Sequence, residues 1–132
     1  MLNKLEIKST DSSLSVLMDA EKNHFVFEGE SRPENCTYFF QPILQWLKSY
    51  KTMLVEQKET TVLEVDFKLD YFNSTSAKFI TDIFLLLKEI ETTAKAELQV
   101  NWQYKSIDEE MQESGEDFQE MTNVKINFVA ID

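Results

Sequence analysis

The sequence predicts an α/β fold, a single-domain mixed β-sheet packed with about three helices and spanning residues 1–132. Three observations carry that prediction. The chain has 132 residues, 42% hydrophobic and 12% aromatic, which is enough apolar mass for one core. No linker, repeat or low-complexity stretch divides it. Apolar residues alternate singly in some segments and recur every three or four residues in others, in the order β-β-β-α-β-α-β-α-β. That order describes a mixed sheet whose later strands are joined by helical crossovers.

The first thirty residues alternate in short runs. Leu2, Leu5 and Ile7 sit among polar residues, Leu14, Val16 and Met18 alternate, and His24-Phe-Val-Phe-Glu28 alternates again before Gly29. Asp11-Ser-Ser13 and Glu21-Lys-Asn23 are the turns of this antiparallel meander. Pro33-Glu34-Asn35 then reads as a helix entry, because proline and Asx side chains suit a first turn. Phe39, Phe40, Ile43, Trp46, Leu47, Tyr50 and Leu54 follow at helical spacing and predict a helix near 35–53. Pro42 lies within it, so one kinked helix is expected.

Residues 61–71 set Val65, Phe67, Leu69 and Tyr71 against Glu64, Asp66, Lys68 and Asp70, a strand buried on one face and expected inside the sheet. Ala77, Ile80, Ile83, Phe84, Leu87 and Ile90 predict a second helix over 75–92. Leu98, Val100, Trp102 and Tyr104 make another strand, and residues 107–120 form an acidic helix-compatible stretch interrupted by Gly115. Val124 to Val129 closes the sheet.

Composition narrows the function. The charge count of 13 against 24 gives −11, which disfavours nucleic acid and anionic membranes as partners. Two glycines leave no glycine-rich phosphate loop, and one histidine (His24) with one cysteine (Cys36) supplies no structural zinc set and no internal disulfide. No metal site and no cofactor are expected. The first eight residues include Lys4, Glu6 and Lys8, unlike a secretory leader, and the longest apolar run is Ile83 to Leu87. A soluble cytoplasmic protein without membrane insertion or catalytic machinery is the expectation.

The sharpest local feature is Asn73-Ser74-Thr75-Ser76, where a buried strand runs into an amphipathic helix. Amides at a helix start lack carbonyl partners, and the helix dipole adds positive character there. A phosphoryl group on Ser74 would find N–H donors within reach. The same residues also serve as ordinary helix caps.

Three segments are more telling: Phe27-Glu-Gly-Glu-Ser-Arg-Pro-Glu-Asn35, Leu69-Asp-Tyr-Phe-Asn-Ser-Thr-Ser-Ala-Lys78, and Trp102-Gln-Tyr104 followed by Asp108-Glu109. In order and over nearly the whole chain they resemble the SiaC family of bacterial regulatory phosphoproteins. The resemblance implies a STAS-like fold, similar to that of anti-sigma-factor antagonists. It implies phosphorylation of the residue after the motif Asn, which is Ser74, with Thr75 the second candidate. A cognate Ser/Thr protein kinase and a metal-dependent phosphatase of the PPM type are implied partners. The unphosphorylated form is implied to bind and activate an effector such as a diguanylate cyclase. The resemblance places the implied partner contacts on Glu30, Arg32, Pro33, Glu34 and Asn35, and on Asn73, Ser74, Thr75, Ser76 and Lys78.

Other candidates carry less. His24 reads as a partly exposed strand residue, and Cys36 as packing beside the helix entry. Asp66 and Asp70 lie four positions apart along a strand, ~13 Å, too far for paired carboxylate catalysis. The seven acidic residues from Asp108 to Glu120 form a solvated face or a docking face for a basic partner. Two other readings stay open, an anti-sigma-factor antagonist in a partner-switching module and a small carboxylate-based enzyme.

Overall fold

Alternation in the sequence becomes six strands in one sheet, and the helical periods become three helices. The structure, a computed structural model, describes residues 2–132. Strands β1 (Leu5–Ile7), β2 (Ser15–Asp19) and β3 (His24–Ser31) precede helix α1 (Cys36–Glu56). Then come β4 (Val62–Phe72), α2 (Ser74–Thr93), β5 (Glu97–Lys105), α3 (Glu109–Thr122) and β6 (Ile126–Ile131). The strands lie in the sheet in chain order; β1–β2 and β2–β3 pair antiparallel, and β3–β4, β4–β5 and β5–β6 pair parallel. Each parallel pair is bridged by one helix, as parallel pairing requires. The expected helices at 35–53, 75–92 and 107–120 are all present, and strand 61–71 is interior as β4.

Burial alternates along β4 and β5, so one face of the sheet carries the helices and the core. The other face shows His24, Glu64, Asp66, Lys68, Asn101 and Asn127, none of them buried. A polar face can stay in water, so no second helical layer is needed.

Aromatic rings join the layers. Phe27 on β3 stacks on Phe67 of β4 at 5.0 Å, Phe67 on Phe84 of α2 at 4.8 Å, and Phe84 on Phe118 of α3 at 5.3 Å. Each helix starts on an Asx side chain, as the entry signals at Asn35 and Asn73 suggest for the first two. Asn35 accepts from the Tyr38 amide at 3.0 Å, Asn73 from that of Ser76 at 2.8 Å, and Asp108 from that of Met111 at 3.0 Å. Such caps are worth ~1 kcal/mol each. Helix α1 is a single element through Pro42. The ring removes the amide that would bond the Tyr38 carbonyl, and Tyr38 and Pro42 both sit on the solvent side.

Gly115 does not interrupt the acidic helix; α3 runs through it. A Cβ there would stand 2.7 Å from Cδ1 and Nε1 of Trp102 and 2.8 Å from Phe128. Glycine therefore lets α3 lie against the indole, whose Nε1 donates to the Met111 carbonyl at 2.9 Å. Gly115→Ala is expected to destabilise the fold by ~1–3 kcal/mol through overpacking, read from urea unfolding. An unchanged midpoint would show that α3 moves away freely.

Candidate functional site

Parallel strands end together, so β3, β4 and β5 deliver the starts of α1, α2 and α3 to one rim of the sheet. In open α/β sheets, ligands bind beyond the carboxyl ends of the strands. The β4–α2 turn sits on this rim. Ser74 and Thr75 are its first helical residues, and both are exposed. Asn73 caps the turn and is half-buried.

Ser76 points the other way and is fully buried. Its hydroxyl donates to the Ser31 carbonyl at 2.9 Å and accepts from the Ser31 hydroxyl at 2.8 Å. The Sγ of Cys36 lies 3.6 Å from the same oxygen, and the Asn73 amide donates to the Ser31 carbonyl at 3.0 Å. Ser76 had been expected among the partner-contacting residues. Helical geometry corrects that, because two positions on from Ser74 the side chain has turned inward. Its part is to tie the α2 start to β3 and α1.

The flanking loop carries the other expected residues. Glu34 and Asn35 are exposed, and Glu30 and Pro33 are partly exposed. Arg32 is exposed but engaged. Its Nε donates to Glu30 Oε2 at 3.0 Å, its Nη2 to the Asp11 carbonyl at 3.2 Å, and its amide to the Ser12 carbonyl at 2.8 Å. The loop is thereby fastened to the β1–β2 turn. Lys78 is exposed one turn after Ser74.

The electrostatics favour an anion on Ser74. The amide of Ser76 is taken by the Asn73 side chain and that of Ala77 by the Asn73 carbonyl. The amides of Ser74 and Thr75 have no acceptor among the described residues. Lys78, at i+4 from Ser74, lies on the same helix face, where opposite charges attract.

One residue of the rim departs from the alternation of its strand. Tyr71 alternates with the core residues Val65, Phe67 and Leu69, yet it is 49% exposed. The register jumps between Gly29, opposite Leu69, and Glu30, opposite Tyr71, leaving Asp70 as the extra residue of a β-bulge. The bulge reverses the facing of the last residues of β4. Gly29 holds φ at +109°, a conformation that side-chain-bearing residues rarely adopt. That glycine, opposite the end of an alternating strand, is the one sequence sign of the bulge. Tyr71 joins Tyr38, 78% exposed in the first turn of α1, as an aromatic side chain presented at this end. Exposed aromatics are the residue type favoured at protein interfaces.

Away from the rim, His24 pairs with Asp66 at 2.8 Å, a contact that strand alternation alone does not disclose. The Tyr50 hydroxyl donates to Asn23 Oδ1 at 2.6 Å within the core, and burial pushes its pKa well above the ordinary tyrosine value. No described helix is long and apolar enough to cross a membrane.

Comparison with known proteins covers almost the whole chain. The family profile described as "SiaC family regulatory phosphoprotein" matches residues 7–131. A protein of Pseudomonas aeruginosa (strain UCBPP-PA14), itself uncharacterized, is 28% identical over 119 residues, 90% of each chain. The crystal structure of apo-SiaC from Pseudomonas aeruginosa matches with a TM-score of 0.79 and 25% identity, over 98% of this chain and 99% of that one. A chain in the crystal structure of the diguanylate cyclase SiaD in complex with its activator SiaC, from the same organism, matches with a TM-score of 0.84 and 27% identity. That alignment covers 96% of this chain and 99% of the other.

Proposed function

Because the chain belongs to the SiaC family of regulatory phosphoproteins, we propose that it is a non-catalytic signalling switch, set by reversible phosphorylation of Ser74. Its unphosphorylated form binds and activates a diguanylate cyclase through the rim that carries Asn73, Ser74, Thr75 and Lys78, with Glu30, Arg32, Pro33, Glu34 and Asn35 beside them. A Ser/Thr kinase adds the phosphoryl group, and a metal-dependent phosphatase removes it. The similarity to a chain in a complex of a cyclase with its activator supports the choice of effector.

The observation that carries this reading is the pairing of roles at the β4–α2 turn. Ser74 is exposed beside unpartnered amides, whereas Ser76 beneath it is buried and hydrogen-bonded. A kinase can reach the first hydroxyl, and the second holds the turn rigid while it does so. The exposed Thr75 is the alternative acceptor.

The test incubates the protein with its cognate kinase and locates the phosphate by intact mass and peptide mapping. Ser74→Ala is expected to abolish modification and Thr75→Ala to leave it largely intact. Full phosphorylation of the Ser74→Ala protein would move the acceptor to Thr75 or discard the switch at this turn.

A further inference from the structure

The uncovered face of the sheet carries a second constellation, ~20–26 Å at strand rise from the end of β4 at Phe72, where the Ser74 turn begins. His24 is the sole histidine of the chain. Register sets His24 opposite Glu64 and Val26 opposite Asp66, so one imidazole reaches two carboxylates of the adjoining strand. Its Nε2 lies 2.8 Å from Asp66 Oδ2 and 3.9 Å from Glu64 Oε1. One ligand atom from each of the three lies within 4.8 Å of the others. Solvent reaches all three, with side-chain exposures of 38% for His24, 46% for Glu64 and 18% for Asp66.

The surrounding side chains orient this group. Asn101 on β5 donates from Nδ2 to Asp66 Oδ1 at 2.7 Å and to Glu64 Oε2 at 3.2 Å. Those bonds occupy the outer oxygens and leave Oδ2 and Oε1 beside the imidazole. Asn127 on β6 in turn donates to Asn101 Oδ1 at 3.0 Å, which fixes the direction of the Asn101 amide. Four strands thus contribute to holding two carboxylates and one imidazole around a common point.

We propose that His24, Glu64 and Asp66 form a binding site for a divalent cation of the zinc type, with water completing the shell. An imidazole nitrogen with two carboxylate oxygens suits Zn²⁺ and its neighbours, whereas Mg²⁺ and Ca²⁺ favour all-oxygen shells. Ligand atoms of a tetrahedral site with ~2.0–2.1 Å bonds stand about 3.3 Å apart. The present separations, 2.8 Å at the shortest and at most 4.8 Å, bracket that value, so side-chain rotation closes the site without moving the strands. The cation takes the place of the hydrogen shared between His24 Nε2 and Asp66 Oδ2, and the neutral imidazole then carries its hydrogen on Nδ1, which faces away from the ion. The bound ion would clamp β3 to β4 and raise stability with its own concentration. Its distance from Ser74 makes it independent of the phosphorylation switch, so either can fail alone.

The test titrates untagged protein with Zn²⁺ while following the single imidazole by NMR and the affinity by calorimetry. One equivalent is expected to shift the His24 resonances, and Mg²⁺ at the same concentration to leave them in place. Asn101→Ala should lower Zn²⁺ affinity ~10-fold as an orienting residue, and His24→Gln and Asp66→Asn should lower it further. Melting curves without metal check that each variant is folded, and Glu64→Gln supplies a replacement for any that is not. Unchanged Zn²⁺ affinity in folded His24→Gln, an equal response to Mg²⁺, or loss of binding only on Cys36→Ser would overturn the site.

Discussion

Phosphorylation of Ser74 is expected to lower affinity for the cyclase effector by ~100-fold or more, equivalent to ~2.7 kcal/mol. The modification adds about −1.5 to −2 charges and three acceptor oxygens to an exposed position between Asn73 and Thr75. In the free protein, water, the unpartnered amides of Ser74 and Thr75 and the exposed Lys78 would be available to solvate the group. The fold should therefore survive, with a melting temperature unchanged or slightly raised. An interface fitted to a small hydroxyl on the rim that also presents Tyr38 and Tyr71 would instead have to take up a dianion and strip its water. Burying a charge without compensation costs far more than a helix terminus returns. Calorimetric titration of the effector with unmodified protein, phosphoprotein, Ser74→Ala and Ser74→Asp checks this. Ser74→Ala should bind like wild type, and Ser74→Asp should bind more weakly without loss of stability. Undiminished binding by the phosphoprotein would sink the switch.

Phe84→Ala is expected to cost ~3–5 kcal/mol in denaturant unfolding. Phe84 is fully buried and stacks between Phe67 and Phe118, so truncation opens a hole where α2, α3 and the central strand meet. Stacked rings cannot collapse into that space without losing their own contacts. A change below about 1 kcal/mol would mean that the stacked rings of Phe67, Phe84 and Phe118 do not depend on one another. Phe84→Leu should lose much less, because it refills most of the volume.

These two residues differ in how far the sequence foretells them. Phe84 is legible from spacing, since it recurs with Ile80, Ile83, Leu87 and Ile90 on one helical face. Ser74 is legible from chemistry, as a hydroxyl beside an Asx cap at a helix start. Its neighbour Ser76 has the same chemistry and the opposite fate, for the helix turns it onto Ser31 and out of a partner's reach. Tyr71 fails in the reverse sense, because a bulge that needs both Gly29 and the facing strand overrides its alternation.

What could be read along the chain is whatever depends on a residue and its near neighbours. Apolar period separates helix from strand, a side chain three residues ahead of an amide caps it, and a helix-length connection between strands permits a parallel crossover. The element order, the interior place of β4 and the position of the hydroxyl turn follow from these. Register and contact between distant segments are set by packing over the whole sheet, where a one-residue shift turns every side chain to the other face. His24 therefore met Asp66, 42 residues away, only once β3 and β4 were aligned. Gly115, read as an interruption of a helix, became the place where that helix rests on Trp102.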